Sequence, residues 1–458
     1  MSQNNEKYTF PRGVHPPEGK DLSENSAIEA LPTPDRLFLS VQQNIGAPCV
    51  CSVNPRETVE ADACLANSDA FVSAPVHAPL PGVVSRPTKK TLPNGRRTQS
   101  VVLDVDKEQA ASGEAILERC LGGDWSIPNN LDPKTFDSTI HEGGIVGMGG
   151  AAFPTHVKLT PNEKKPIDTV LINGSECEPY LTADYRVMLE YPQPVLIGGI
   201  LVALACGAKS VFYCIEDNKP EAIASMRDAL SKIAVPAGID ARVRVMKTKY
   251  PQGGEKQLIL AALGRKVPFP GLPMDVGVDV QNVATATAIA AKILRGKNLT
   301  HRVVTVTGQG IKRPKNLFVP MGTSIQTLVD FCGGLTDDAE RVILGGPMMG
   351  FAVGSLDIPV TKGTSGITVL TARETAKSEE TNCVHCGRCV SVCPMNLVPT
   401  KLALASRVKN TEVLEAYSVG ACMECGSCAY VCPASLPLVQ LIRTGKGLIQ
   451  KLNAKAKK

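Results

Sequence analysis

Aromatic residues are scarce in this sequence: 4% of 458 positions, with a single Trp. Neither sign of charge dominates, since 49 Lys and Arg stand against 44 Asp and Glu for a net +5, and no basic stripe is interleaved with aromatics. That balance gives no basis for nucleic-acid binding. A long apolar run is missing as well. The longest uncharged stretch, "YPQPVLIGGILVALACGA" (191–208), contains two prolines, and its purely apolar part falls short of the roughly 20 residues a membrane span needs. It reads as a buried helix, so no transmembrane segment is expected. The opening "MSQNNEKYTFPRG" has no basic start followed by an apolar core, which predicts no secretory signal and a cytoplasmic chain.

What the chain has in quantity is Gly (40), Pro (34) and Cys (16). Glycine and proline announce many tight turns. Sixteen cysteines in a reducing compartment argue for metal ligation rather than disulfides. The texture changes along the chain in a way that predicts several domains. Short alternating runs such as "RLFLSV" and "AFVSAPVHAPLPGVVS" predict a tail and small β domain over 1–105, with "RPTKKTLPNGRRTQ" as an exposed loop. Strands "TVLING" and "SVFYCIE" alternating with helical stretches predict a parallel, helix-covered α/β domain over 106–298. Short strands with one helix, "TSIQTLVDFCGG", predict a small α+β domain over 299–372. A cysteine-rich repeat fills 373–445, and "GKGLIQKLNAKAKK" supplies a basic tail, 446–458, read as a solvated end.

The repeat is specific. "CVHCGRCVSVCP" returns as "CMECGSCAYVCP", so that Cys383 recurs as Cys422, 39 positions on. Each run is C-x2-C-x2-C-x3-C-P, the pattern in which three thiolates of one loop and a fourth from the other run bind a [4Fe–4S] cubane. Cys383, Cys386, Cys389 and Cys432 are therefore expected to hold one cluster, and Cys422, Cys425, Cys428 and Cys393 the second. Structural zinc is the bland alternative, but the third cysteine and the terminal Cys-Pro are superfluous for it. The other eight cysteines have no ligand spacing and read as small hydrophobes, with Cys177 set apart by its acidic turn.

Residues 145–159, "IVGMGGAAFPTHVKL", satisfy G-x-G-x-x-A through Gly147, Gly149 and Ala152. A dinucleotide grip of that type needs a strand before the glycines, whereas Asp132 and Pro133 start a helix that ends at Gly143 and Gly144. The fingerprint match is accidental. Other polar turns point to the same region: Asn173, Ser175, Glu176 and Glu178 after a strand; Tyr250, Gly254 and Glu255 in "KYPQGGEKQL"; and Gln281, Asn282 and Thr285 opening a helix. Backbone N–H groups at such turns suit phosphate, and Lys158 adds positive charge.

The turns "GMGGAAFPTHVK", "INGSECEPYLTADYRVML", "YPQGGEKQL" and "VQNVATA" occur in the order found in the flavin-binding, NADH-oxidising subunit of complex I. With "GVHPPEGK", "APVHAPLPG", "GGPMMG" and the paired cysteine runs, nearly the whole chain resembles the RnfC family, one component of the Rnf complex, the membrane-bound NAD:ferredoxin oxidoreductase. The resemblance implies an N-terminal barrel-sandwich, a central Rossmann-like domain for FMN and NAD(H), a β-grasp module of the SLBB kind, and a ferredoxin-like domain with two [4Fe–4S] clusters. It also implies that Gly147, Gly149, Lys158, Asn173 and Asn282 line FMN, with Thr285 near its phosphate, while Phe153, Glu178 and Glu255 face the nicotinamide nucleotide. The implied partners are the membrane subunits and the ferredoxin-interacting iron–sulfur subunit, and the implied place is peripheral, on the cytoplasmic side of the bacterial inner membrane. Two rivals share these motifs: a cobalamin reductase of bacterial microcompartments, and a relay subunit that has lost its nucleotide. Tyr180 stands where the complex I relative has glycine, and His77 stands where a lipoyl carrier has its modified lysine.

Overall fold

The computed structural model describes residues 8–93, 95–160, 163–376 and 379–456. Residues 1–7, which form much of the opening read for a signal, and the last two lysines of the basic tail lie outside the described residues.

The central domain is built on four parallel strands, Thr169–Gly174, Ser210–Glu216, Asp240–Met246 and Val278–Asn282. In space the third lies beside the second, the second beside the first, and the fourth on the first strand's other side. The winding therefore reverses between Thr169–Gly174 and Val278–Asn282. The apolar helix Pro192–Cys206 is buried under this sheet, as expected from its composition. It crosses the helix Val283–Arg295 at glycines: a Cβ on Gly198 would stand 1.9 Å from the Ala286 carbonyl oxygen. Among the described residues no single helix is long and apolar enough to cross a membrane.

Two small sheets form the N-terminal β domain. One comprises Arg36–Ser40, Arg97–Val105, Gly82–Thr91 and Thr58–Val59, and the other Val50–Cys51, Cys64–Asn67 and Val76–His77. Leu37, Leu39, Leu65 and Leu103 fill its core. The expected loop "RPTKKTLPNGRRTQ" is instead mostly the two arms of a long hairpin: Thr88 pairs with Ser100 and Lys90 with Thr98, beyond an irregularity around Pro87. Its polar residues satisfy a ladder whose side chains face solvent, so composition alone reads as loop.

The segment before this domain belongs elsewhere. Tyr8 bridges to Met246, Val14 to Tyr250, and Ile28–Ala30 joins the β-grasp sheet as a parallel edge strand beside Lys315–Pro320. That sheet continues through His301–Thr307, Gly366–Thr371, Ala339–Leu344 and Phe351–Val353. Lys362 is buried where three units meet, its ammonium donating to the carbonyls of Pro75 at 2.5 Å and Gly144 at 2.6 Å. Nearby, burial and the Lys362 charge push the imidazole of His77 down to about 3.

The C-terminal repeat holds at the level of the backbone. His385 and Glu424, Gly387 and Gly426, and Asn396 and Ser435 all take positive φ, each pair 39 positions apart. Helices Pro399–Arg407 and Leu438–Ala456 begin with the same offset and lie against each other. The second runs through most of the expected basic tail, because Leu448 and Ile449 pack partly onto the domain core.

Candidate functional site

Asn173 and Asn282 are register partners at the carboxyl ends of neighbouring strands, at the point where the winding reverses. Open α/β sheets bind ligands outside that point. Asn282 caps the helix Val283–Arg295, its side-chain oxygen accepting from the N–H groups of Ala284 at 2.9 Å and Thr285 at 3.4 Å. Its amide nitrogen donates to Asp184 at 2.6 Å. The fully buried Thr285 hydroxyl accepts the Met148 N–H at 2.9 Å, which ties the helix start to the glycine turn. Asn173 donates to the Gly253 carbonyl at 2.8 Å and accepts the Ser175 N–H at 3.2 Å. Four turns distant in sequence thus meet over one end of the sheet.

The glycine turn follows a helix, Phe136–Glu142, with no strand before it, as the sequence implied. It closes on itself through Gly147 N–H to the Phe153 carbonyl at 2.8 Å, with Phe153 half-buried beside it. A Cβ on Gly149 would come within 3.4 Å of Asn282, and one on Gly150 would meet nothing within 4 Å. Backbone without side chains therefore faces open space beside Asn282. Buried polar atoms without partners, the Ser175 hydroxyl and both amide atoms of Gln252, belong to the converging turns. Open backbone and unpartnered buried polar atoms together suit a polar ligand.

Lys158 and Glu255, given separate roles by the resemblance, are a single ion pair at 2.9 Å, with the Val280 carbonyl accepting from the same ammonium at 3.0 Å. Burial opposes the Lys158 charge, yet Glu255 and then Asp279 hold it above the usual lysine range. Charged neighbours that the motifs did not single out flank the cradle. Asp184 is pushed up to about 7 by burial and by Glu176, and the buried guanidinium of Arg302 donates to the Met148 carbonyl at 3.2 Å. Only tertiary placement distinguishes these from other scattered charges.

Glu178 and Tyr250 belong to two of the same converging turns, and their side chains also face other domains. The Glu178 carboxylate accepts the N–H groups of Met349 at 2.8 Å and Met348 at 3.2 Å, in the "GGPMMG" turn of the β-grasp sheet. Burial pushes it up to about 7. Tyr250, 2% exposed, donates to the Cys425 carbonyl at 2.6 Å. Gly254 caps the helix Glu255–Leu263, and a Cβ there would lie 2.7 Å from the Met423 side chain. Through these residues the converging turns also reach the β-grasp turn, by Glu178, and the cysteine-rich domain, by Tyr250 and Gly254. Lys20, the last residue of "GVHPPEGK", enters the same region: its buried ammonium donates to the carbonyls of Glu176, Glu178 and Leu181 at 2.9, 3.1 and 2.6 Å. Tyr180 has φ 71°, a conformation that glycine adopts freely, and its hydroxyl donates to Glu374 at 2.7 Å. The Cys177 thiol is raised by burial and accepts the Gly253 N–H at 3.3 Å, a structural contact.

The eight cysteines of the repeat divide between two cavities. Cys383, Cys386, Cys389 and Cys432 line one, and Cys393, Cys422, Cys425 and Cys428 the other, so each draws its fourth thiol from the opposite run. Among the described residues no group of three or more His, Cys, Asp or Glu side chains converges as one ion's ligand set would. Four thiols spread around a cavity are the donor set of a [4Fe–4S] cluster, in which each of four irons takes one thiolate. His385, between Cys383 and Cys386, is exposed.

Comparison with known proteins supports the same division. The Nuo51 FMN-binding domain matches residues 140–291, the RnfC barrel sandwich hybrid domain 8–108, the SLBB domain 303–352 and the 4Fe-4S dicluster domain 372–436. The C subunit of the proton-translocating ferredoxin:NAD(+) oxidoreductase complex of Clostridium ljungdahlii is 43% identical, over 86% of this chain and 84% of its own length. The chain belongs to the RnfC family. Other members are the Na(+)-translocating counterpart of Acetobacterium woodii, 39% identical over 86% of both chains, and the C subunit of the ion-translocating oxidoreductase complex of Rhodobacter capsulatus, 38% identical over 96% of this chain and 83% of its own. In this RnfC sequence the barrel-sandwich precedes the FMN-binding domain, and the dicluster domain follows the SLBB domain. The fold classes implied by the resemblance are all present.

Proposed function

We propose that this chain is the NAD(H)-reactive subunit of an ion-translocating ferredoxin:NAD+ oxidoreductase, peripheral on the cytoplasmic side of the membrane and docked on the complex's other subunits. The observation that carries this reading is the convergence of four polar turns at the sheet's switch point, joined directly to a loop that supplies one cysteine cavity. FMN would be held by the turn at Gly147 and Gly149, by Asn173, Ser175 and Asn282, and by Lys158, with Thr285 fixing the turn to the helix start. Phe153 and Glu255 border the same cradle and would meet the nicotinamide nucleotide. When bound, FMN exchanges a hydride with NAD(H) and electrons singly with [4Fe–4S] clusters, which is chemistry that no side chain supplies.

The chain's own residues bind and orient. Asn173 and Asn282 fix the two strand ends, and Glu255 keeps the Lys158 ammonium protonated at the cradle's edge. Cys383, Cys386, Cys389 and Cys432 would ligate one cluster, and Cys393, Cys422, Cys425 and Cys428 the other. Glu178 and Tyr250 would also belong to the nucleotide site, while their protein contacts link it to the β-grasp turn and to the cysteine-rich domain. The barrel-sandwich lying first in the chain favours this reading over a microcompartment cobalamin reductase, in whose group the glycine turn lies near the N-terminus.

Serine substitution tests the crossed ligand sets. Cys432→Ser is expected to abolish the same electron paramagnetic resonance signal as Cys383→Ser, and to spare the one lost in Cys422→Ser. Grouping of Cys432 with Cys422, or an iron-free chain loaded with zinc, would overturn the assignment.

A further inference from the structure

The two cysteine cavities are not equivalent in what surrounds them. The cavity of Cys383, Cys386, Cys389 and Cys432 is lined entirely by residues 383–438, and Cys386 is exposed. The other cavity is gripped from outside. Tyr250 donates to the carbonyl of Cys425 at 2.6 Å, while Gln257, in the first turn of Glu255–Leu263, reaches the second segment that supplies a thiol. Its amide donates to the sulfur of Met395 at 3.2 Å and the carbonyl of Pro394 at 3.5 Å, directly after Cys393. Both residues are buried, at 2% and 4% exposure, and both flank the Gly253–Glu255 turn of the nucleotide cradle. Between them the Met423 side chain closes on Gly254.

We propose that Tyr250 and Gln257 are positioning residues for the cluster of Cys393, Cys422, Cys425 and Cys428. They act through the backbone on the two peptide segments that carry these thiols, and they make this cluster the one coupled to the nucleotide cradle. The inference rests on the function proposed above. Its physical basis is that hydrogen bonds, burial and backbone orientation around a cluster set its potential. Tyr250 fixes the direction of the Cys425 peptide, and Gln257 that of the Pro394 peptide. Neither side chain touches the cavity of Cys383, so their removal must act on one cluster alone.

The experiment is a redox titration of the anaerobically purified full chain, followed by electron paramagnetic resonance, with iron measured on the same samples. Tyr250→Phe and Gln257→Met retain the buried volume and remove the polar contact. Each is expected to change the reduction equilibrium of one cluster about threefold to tenfold, the upper limit corresponding to about 59 mV for one electron. The affected signal should be the one abolished by Cys422→Ser, with the Cys383-dependent signal unmoved. Loss of half the iron, confined to the Cys422-dependent signal, would equally support the assignment.

Unchanged potentials in both variants, or equal shifts of both clusters, would overturn it while leaving the two-cluster reading intact. Absence of clusters from the unsubstituted chain would instead sink the underlying function. If Tyr250→Phe does not fold, Gln257→Met decides alone, since it leaves the Tyr250 contacts and the Val14 pairing in place.

Discussion

A single carboxylate shows how the junction is held. Glu178 lies between two backbone N–H donors, which favour its charge, and an enclosed position that opposes it, and burial is the larger effect. Its proton leaves near pH 7 in the fold, against about 4.5 when unperturbed. Between these values the folded chain retains a proton that the unfolded chain has released, so this group's contribution to stability falls as pH rises through that window. Glu178→Gln removes the titration. Melting temperatures measured from pH 4.5 to 7.5 should therefore decline less steeply in the variant than in the parent chain, although the variant is less stable overall because one N–H donor faces an amide nitrogen. Parallel declines would place the titrating group elsewhere. Residue types and spacing had marked Glu178 as functional, but not its partners: Met348 and Met349 lie 170 and 171 positions away.

At the scale of elements, local pattern was informative wherever an element buries its own residues. "TVLING", "SVFYCIE" and the helices between them could be read directly because apolar periodicity records which face is covered. The 82–105 hairpin and the edge strand Ile28–Ala30 could not, since their ladders join polar or distant segments and leave no local mark. The terminal helix was hidden for a related reason: its lysines dominate the composition, while Leu448 and Ile449 do the packing. Glycine pairs inside a helix were legible only as helix-weakening residues. The structure gives Gly198 a role, since the helices Pro192–Cys206 and Val283–Arg295 touch there backbone to backbone. Gly198→Ala should force them apart and cost about 1–3 kcal/mol or more, as overpacking does, with a fall in Tm of several degrees and weaker flavin retention because Asn282 and Thr285 open the second helix. Gly447→Ala, where a Cβ meets nothing within 4 Å, should leave Tm unchanged or slightly raised. Equal effects of the two substitutions would refute the close-approach explanation.

For the whole molecule, the units are joined by buried polar contacts at their borders: Lys362 across three units, Lys20 on the carbonyls of 176–181, and Tyr250 from the nucleotide domain to the cysteine repeat. Motifs indicated that a nucleotide cradle and two clusters share one chain. They did not indicate which cavity adjoins the cradle, because that depends on contacts such as Gln257 with Met395, 138 positions apart. The central claim is that one continuous electron path runs from NAD(H) through FMN to iron–sulfur clusters. Its most direct test is a single measurement on anaerobically purified chain: iron and flavin content, with the visible spectrum recorded before and after NADH is added. About eight irons and one FMN per chain, with the cluster absorbance bleached by NADH, are predicted from two cubanes and one flavin cradle. An iron-free chain containing zinc, or a clustered chain without flavin whose spectrum NADH leaves unchanged, would contradict it.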